Sequence, residues 1–512
     1  MYRDLRDIVE AIASGVIRSE EDLEKAKKAL AVSLKLPEIP GNPEILAAAR
    51  PCERERLKLL IKKPTRTLSG VAVIAVMTSP ACCPHGICVP CPGGVLGERF
   101  SPQSYTGQEP AALRAVQHGF DPYAQVSARL RQLSEIGHPV DKAELILMGG
   151  TITSRPLGYQ CWFVKRCLEA MNDYPDAVSS ARWRSFREVA EANSSAAVRN
   201  VGITFETRPD WCRSDHIKNM LLLGGTKVEL GVQSIYDGVL SAIRRGHSVR
   251  ETIRANRLLR EAGLKVGFHM MPGLPGSSPE MDLRMFRELF ENSDYRPDYL
   301  KIYPTLVIEG TELHRMWMRG DYEPLSDDEA AELISRIKEI LPRYTRLQRV
   351  QRDIPAHLIA AGVKKSNIRQ LARKRLEDRG LRCRCIRCRE AGLRGISDGD
   401  ITLNIESYDA CGAKEHFISF DTVDDTLVGF LRLRLGAEAR IRELHVYGPL
   451  VPLGRRGGWQ HRGIGARLVE IAEELARDRG YDRISITSGI GVRGYYASLG
   501  YRLNAPYMEK ML

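Results

Sequence analysis

At 512 residues the chain is long enough for about three domains of roughly 150 residues each, and 43% hydrophobic with 27% charged residues is the balance of a globular protein. Its longest clean apolar run, Val71–Met77, is far short of the ~20 residues a membrane span needs. The charged start MYRDLRDIVEA has no apolar core and no small-residue cleavage site, so it is not expected to be a secretory signal, and the cytoplasm is expected. The excess of 76 basic over 64 acidic residues, net +12, points to a polyanion partner only where it is clustered.

Residues 1–70 read as a helical, basic region. Six basic residues fall between Arg54 and Arg66 (Arg54, Arg56, Lys58, Lys62, Lys63 and Arg66), opposed nearby only by Glu53 and Glu55. From Val71 short apolar runs alternate with amphipathic stretches. Strands are expected at Val71–Met77, Glu144–Met148, Val201–Phe205, Val228–Val232, Lys265–Met270 and Tyr299–Tyr303. Helices are expected between them, at Glu109–Gln117, Asp215–Leu223, Val249–Glu261 and Glu280–Phe290. Alternation of this kind predicts an α/β domain with a parallel sheet, here a partial or full β/α barrel over residues 71–315. The unusual residues follow the strands: Cys83–Cys91, Gly149-Gly150-Thr151, Glu206-Thr207-Arg208-Pro209, Gln233-Ser234, Met271-Pro272-Gly273 and Pro304. Strand C-terminal ends build the active face of such barrels.

Residues 316–395 read as a mainly helical, basic linker, with nine basic residues from Arg369 to Arg389 against Glu377 and Asp378. Residues 396–512 turn to strands (Asp400–Glu406, His416–Phe420, Thr426–Leu435, Arg440–Tyr447), then a glycine loop, a helix at Gly465–Arg479 and a strand at Arg483–Thr487.

Twelve cysteines in a protein expected to be reduced point to metal wherever they cluster. Cys83, Cys88 and Cys91 form C-x4-C-x2-C on a glycine- and proline-rich loop. Three thiolates can hold three irons of a 4Fe-4S cluster and leave the fourth open. A zinc site, with His85 or Cys82 as fourth ligand, is the rival reading. The loop resembles that of the radical S-adenosylmethionine (SAM) superfamily, with one residue more in the first spacing. Cys83-Pro84-His85, Ile87-Cys88-Val89, Cys91-Pro92-Gly93-Gly94, Gln103-Ser104-Tyr105-Thr106-Gly107, Asp121-Pro122-Tyr123, Met148-Gly149-Gly150-Thr151, Glu206-Thr207-Arg208-Pro209-Asp210, Gly231-Val232-Gln233-Ser234 and Arg245-Gly246-His247 together resemble the family of Elongator catalytic subunits. That resemblance implies a 4Fe-4S cluster on Cys83, Cys88 and Cys91, with SAM chelating the open iron. Gly149 and Gly150 would admit the SAM amino group, and Glu206, Gln233 and Arg244 or Arg245 would contact SAM or substrate.

Gln460-His461-Arg462-Gly463-Ile464-Gly465 opens a helix, where backbone N–H groups bind anions and glycine admits a pyrophosphate. With Leu444-His445-Val446 before it and Tyr495-Tyr496-Ala497-Ser498-Leu499-Gly500-Tyr501 after it, this resembles the GNAT acetyltransferase fold. The resemblance implies acetyl-CoA on residues 460–465, with Tyr496 protonating the CoA sulfur and Tyr495 beside it. Cys383-x-Cys385-x2-Cys388 is expected to hold zinc, with Cys411 or His416 as candidate fourth ligand. The two basic clusters, through Arg54, Arg56, Lys62, Lys63, Lys374 and Arg375, are expected to hold the RNA backbone. Tyr105, Tyr123, Trp211 and Tyr303 are candidates to stack an unpaired base.

The family implies a wobble-uridine modification of tRNA. A 5′-deoxyadenosyl radical takes hydrogen from the methyl group of acetyl-CoA, the carbon radical adds to C5 of the uridine, and the thioester is hydrolysed to leave 5-carboxymethyluridine. The rival readings are a protein lysine acetyltransferase with a vestigial iron–sulfur domain and an RNA-binding scaffold. A homodimer and accessory subunits both stay open.

Overall fold

The computed structural model describes residues 2–50, 52–53, 56–61, 67, 70–95, 101–176, 185–394, 400–447 and 463–512. Two seven-stranded sheets organise it. The first is all parallel, in the order β1 (Ala72–Met77), β2 (Lys142–Met148), β3 (Arg199–Thr207), β4 (Gly225–Gln233), β5 (Lys265–Met270), β6 (Tyr299–Ile302) and β8 (Arg346–Val350). Sequential order with helical crossovers curves the sheet, and β1 is not paired with β8, so it is a partial barrel. β7 (Val307–Ile308) and β9 (Ile359–Ala361) pair separately.

The outward residues of these strands are apolar and fully buried beneath the helices, as with Leu145, Leu147, Val228, Leu230, Val266 and Phe268. The inward positions alternate with them and are polar: Glu206 on β3, Lys227 and Glu229 on β4, His269 on β5 and Lys301 on β6. The period-two geometry of a strand therefore sends the packing to one face and the chemistry to the other.

The seventh strand, Arg346–Val350, comes from the stretch read as a helical linker, so the barrel runs past residue 315 to Val350. Its sequence RLQRV hides it, because Arg346 reaches Glu390 and the Tyr447 hydroxyl (2.7 Å) and Gln348 faces the polar interior.

The second sheet is β10 (Ile401–Ala410), β11 (Ala413–Thr422), β12 (Leu427–Leu435), β13 (Ala439–Val446), β14 (Arg483–Ile486), β16 (Tyr507–Met511) and β15 (Arg502–Asn504). β13 and β14 are parallel and pair only over Ala439–Ile441, so β13 continues unpaired on that side to Val446. The helix Ile464–Asp478 packs its apolar face, including Leu468, Val469 and Ala472, on this sheet.

The N-terminal helices Leu5–Ala13, Glu20–Ser33 and Asn42–Ala47 enclose a small core of Ile8, Val9, Leu23, Leu30, Ile45, Leu57 and Leu60. No helix among the described residues is long and apolar enough to cross a membrane.

Candidate active site

The C-terminal ends of the barrel strands enclose a cavity of about 1060 Å³. Cys83, Cys88 and Cys91 line it together with Gly150, Glu206, Gln233, Arg245, Tyr105 and Tyr303. Gln103 clasps the cysteine loop at two points: its Oε1 accepts from the Cys83 N–H (2.8 Å) and its Nε2 donates to the Gly86 carbonyl (2.8 Å). Cys88 Sγ lies 3.0 Å from His85 Nε2 and accepts from Arg245 Nη1 at 3.6 Å. Burial and the nearby Arg208 and Arg245 guanidinium groups push the His85 imidazole down to about 4, so it is neutral beside the loop.

Gly149 sits at φ +124°, where a Cβ would collide with Thr78 Oγ1. Gly150 presents its Cα 's open side to Cys83, whose Sγ would be 3.8 Å from a Cβ there. Gly149 thus lets the backbone press against the end of β1, and Gly150 brings bare backbone to the cysteine loop.

The site residues expected from sequence are not equally placed. Arg245 lines the cavity, whereas Arg244 is exposed and lies outside it, because its backbone at φ +52° turns it to the surface. Glu206 is already engaged, accepting from the Tyr105 hydroxyl (3.1 Å) and Lys301 Nζ (3.1 Å). Gln233, at φ +73°, has a buried Oε1 without a hydrogen-bond partner, as does Arg245 at Nε. Unsatisfied buried polar atoms on a cavity wall fit a polar ligand, and three converging soft donors fit iron. Of the four aromatic stacking candidates, Tyr105 and Tyr303 line the cavity. Tyr123 is instead held by Asp173 and Arg166, and Trp211 stacks near His216 and Arg213.

Sequence reasoning missed the inner floor of this cavity. Register pairs Glu206 with Glu229 and His269 with Lys301 on neighbouring strands. Glu229 accepts from His269 Nε2 at 3.0 Å and pairs with Lys301 and, at 3.5 Å, Lys227. Burial by itself would raise Glu229, but Lys301, Lys227 and His269 hold it well below the usual carboxylate range. Glu206, Glu229 and His269 are close enough to grip a cation, and the Lys301 ammonium bonds both carboxylates there. The signal was available in the period-two placement of Glu229, His269 and Lys301 within otherwise apolar strands.

In the second domain, Gly463 caps the helix Ile464–Asp478 at φ +85°. A Cβ on Gly465 would lie 2.8 Å from the Tyr495 hydroxyl. Tyr495 is half-exposed and meets Tyr496 edge-on at 5.2 Å between ring centroids. Tyr496 is buried, and burial, with Tyr495 and Glu443 adding to it, raises its hydroxyl above the ordinary tyrosine value. Gln460, His461 and Arg462 lie outside the described residues, as do Arg54, Lys62 and Lys63.

Cys383, Cys385 and Cys388 bring their sulfurs within 4.8 Å of one another against the barrel core. Neither expected fourth ligand is there. Cys411, in the turn between β10 and β11, accepts at Sγ from Asn256 Nδ2 (3.2 Å), and His416 on β11 meets Ser407 Oγ on β10 through Nδ1 (2.7 Å). The group that does stand at the cluster is Lys338, with Nζ 3.5 Å from Cys388 Sγ.

The basic clusters are partly spent within the protein. Arg375 pairs with Asp328 and, at 3.6 Å, Glu332, while Arg389 is buried against Asp421 and Asp425. Lys374, Arg382, Arg384 and Arg56 are exposed.

A cysteine-lined partial barrel followed by a splayed sheet with a glycine-capped helix defines a radical SAM domain joined to a GNAT acetyltransferase domain. Family models agree: the ELP3 N-terminal domain matches residues 1–68, the Radical SAM superfamily 81–289, the Radical_SAM C-terminal domain 297–378 and the Acetyltransferase (GNAT) family 394–501. The chain is 50% identical to the tRNA uridine(34) acetyltransferase of Methanocaldococcus infernus, over 92% of each chain. It is 41% identical to human Elongator complex protein 3, over 99% of this chain and 96% of that one. The solved structure of archaeal Methanocaldococcus infernus Elp3 with an N-terminal deletion superposes with a TM-score of 0.75 at 46% identity, covering 87% of this chain and all of that one. The chain belongs to the Elp3 family. Its radical SAM domain is the seat of a 4Fe-4S cluster and SAM, and its GNAT domain that of acetyl-CoA.

Proposed function

We propose that the chain modifies the wobble uridine of tRNA, attaching a carboxymethyl group to C5 with acetyl-CoA as carbon source. The observation that carries this reading is the pairing of one cavity lined by three cysteines with a coenzyme-type glycine helix in the same chain. The relatives named for tRNA uridine(34) chemistry support it. An intact cysteine loop, clasped twice by Gln103, speaks against a vestigial domain serving a lysine acetyltransferase.

Cys83, Cys88 and Cys91 would hold the cluster, which when bound supplies the electron for SAM cleavage. Gly149 and Gly150 offer backbone to SAM, and Gln233 and Arg245 offer their unsatisfied atoms. Tyr105 and Tyr303 supply flat walls for an unpaired base. Gly463, Ile464 and Gly465 receive the pyrophosphate of acetyl-CoA at a helix start. Tyr496, kept protonated by burial, is suited to give a proton to the departing sulfur.

The same reading gives Cys383, Cys385 and Cys388 a structural zinc, with Lys338 as the fourth polar group beside it. Lys374, Arg382, Arg384 and Arg56 are the exposed cations left to hold RNA phosphates, while Arg375 serves its carboxylates. Cytoplasmic action and assembly with itself or with accessory subunits accompany this proposal.

The test is to incubate anaerobic, cluster-reconstituted protein with SAM, acetyl-CoA and tRNA and to weigh the nucleosides. Carboxymethyluridine that depends on all three is expected. Acetyl-lysine on protein with unmodified tRNA would overturn the reading.

A further inference from the structure

The thioester step leaves a group unassigned: something must take a proton from the attacking water. We propose that His269, oriented by Glu229, is the general base that hydrolyses the thioester in the barrel cavity. This rests on the carboxymethylation reading.

His269 projects from the inward face of β5 and lines the cavity. Its Nε2 lies 3.0 Å from Glu229 Oε2. Glu229 is fully buried and charged, so Nε2 carries the hydrogen and donates it. That fixes the tautomer and leaves the lone pair on Nδ1. Nδ1 has no hydrogen-bond partner among the described residues and is not sealed from solvent. The Tyr303 ring meets the imidazole edge-on at 5.6 Å and limits its rotation. Glu229 is itself held by Lys301 and Lys227. A carboxylate that orients an imidazole whose other nitrogen faces a cavity is the arrangement of a general base.

The alternatives at this site are weaker. A cation between Glu206, Glu229 and His269 would have to displace the Lys301 ammonium, which already bonds both carboxylates. Glu206 has both oxygens engaged, by the Tyr105 hydroxyl and the Lys301 ammonium, and orients no imidazole.

In the proposed step the water oxygen bonds to the thioester carbonyl carbon while its proton passes to His269 Nδ1. The tetrahedral adduct then collapses, and the C–S bond breaks with its electron pair going to sulfur. CoA leaves as the thiolate and is protonated by Tyr496, and the imidazolium gives up its proton to solvent. The carboxylate remains on the uridine substituent. No oxidant or reductant is consumed.

The test uses the full chain with His269→Asn and His269→Gln, both of which keep an amide donor for Glu229. Three quantities are read under anaerobic turnover: 5′-deoxyadenosine formed, free CoA released from acetyl-CoA in the presence of tRNA, and the mass of the modified nucleoside. Loss of a general base lowers a rate by about 100-fold or more. CoA release should fall by that factor while 5′-deoxyadenosine stays within about two-fold of the parent, and an RNA–CoA thioester adduct should accumulate. Independently of turnover, ¹⁵N-histidine spectra of the parent should show an Nε2–H tautomer that disappears in His269→Asn. Parental CoA release in either variant, parallel loss of 5′-deoxyadenosine in both, or an Nδ1–H tautomer would overturn the assignment. If the parent itself forms no carboxymethyluridine, the underlying reading falls; if the parent does and the variants match it, only His269 falls.

Discussion

Arg442 forks onto Asp298 across the junction of the two catalytic domains, with Nη1 at 2.7 Å and Nη2 at 2.8 Å from the two carboxylate oxygens, and both side chains are fully buried. Arg442 also bonds Glu415, which takes Arg260 from the barrel side, while Arg432 bonds Glu443. The barrel contributes Arg260, Asp298 and Tyr299 and the GNAT domain contributes Glu415, Arg432, Arg442 and Glu443. Breaking one partner of a buried pair strands the other charge, at a cost of roughly 3–5 kcal/mol. Arg442→Met should lower the unfolding free energy by about that amount, and the double variant Arg442→Met with Asp298→Asn should recover part of it in denaturant titrations. Equal stability of Arg442→Met and the parent would refute the role given to this junction.

Glu443 gives the junction a pH signature. Burial by itself would raise its carboxyl, but Lys265, Arg432 and the Tyr299 hydroxyl bring it from 4.5 down to about 2. A depressed carboxylate stabilises the fold above its unfolded value, and that contribution is lost as pH falls through the folded one. Stability should therefore decline between pH 4.5 and about 2, and Glu443→Gln should show a shallower decline over the same window in pH-dependent thermal melts.

The coenzyme helix makes a steric prediction. Gly463 needs its left-handed φ, and Gly465 lies against the Tyr495 hydroxyl. Gly465→Trp should abolish acetyl-CoA binding in isothermal titration while leaving iron content unchanged. Parental affinity would move the coenzyme elsewhere.

The second cysteine cluster predicts metal content. Well-folded protein should carry about one zinc per chain beyond its iron. Cys385→Ser should lose zinc and keep iron by elemental analysis. Protein that folds and contains no zinc would remove the site.

The barrel and the coenzyme helix were largely legible in the sequence because their signals are local: apolar runs followed by unusual residues, and a glycine loop opening an amphipathic helix. What was hidden depends on contacts between distant segments. The strand Arg346–Val350 looks like surface because Arg346 finds Glu390 and Tyr447 only after folding. The run Arg369–Arg389 looks like one cationic face, yet Asp328, Glu332, Asp421 and Asp425 neutralise Arg375 and Arg389. Glu229, His269 and Lys301 are separated in sequence by 40 and 32 residues yet become neighbours through parallel register. For the zinc candidates, Cys411 sits in the turn between β10 and β11 against Asn256, and His416 on β11 is bonded to Ser407.

On the proposed function, the acetyl methyl carbon is joined to the wobble uridine by way of hydrogen abstraction within this one chain. Acetyl-CoA bearing a fully deuterated methyl group tests it most directly, with tRNA, SAM and reductant supplied anaerobically and Cys88→Ser as the control. The expected products are 5′-deoxyadenosine carrying one deuterium and carboxymethyluridine carrying two, with neither product from the control. Unlabelled 5′-deoxyadenosine, or a uridine that gains an intact trideuterated acetyl group, would contradict it.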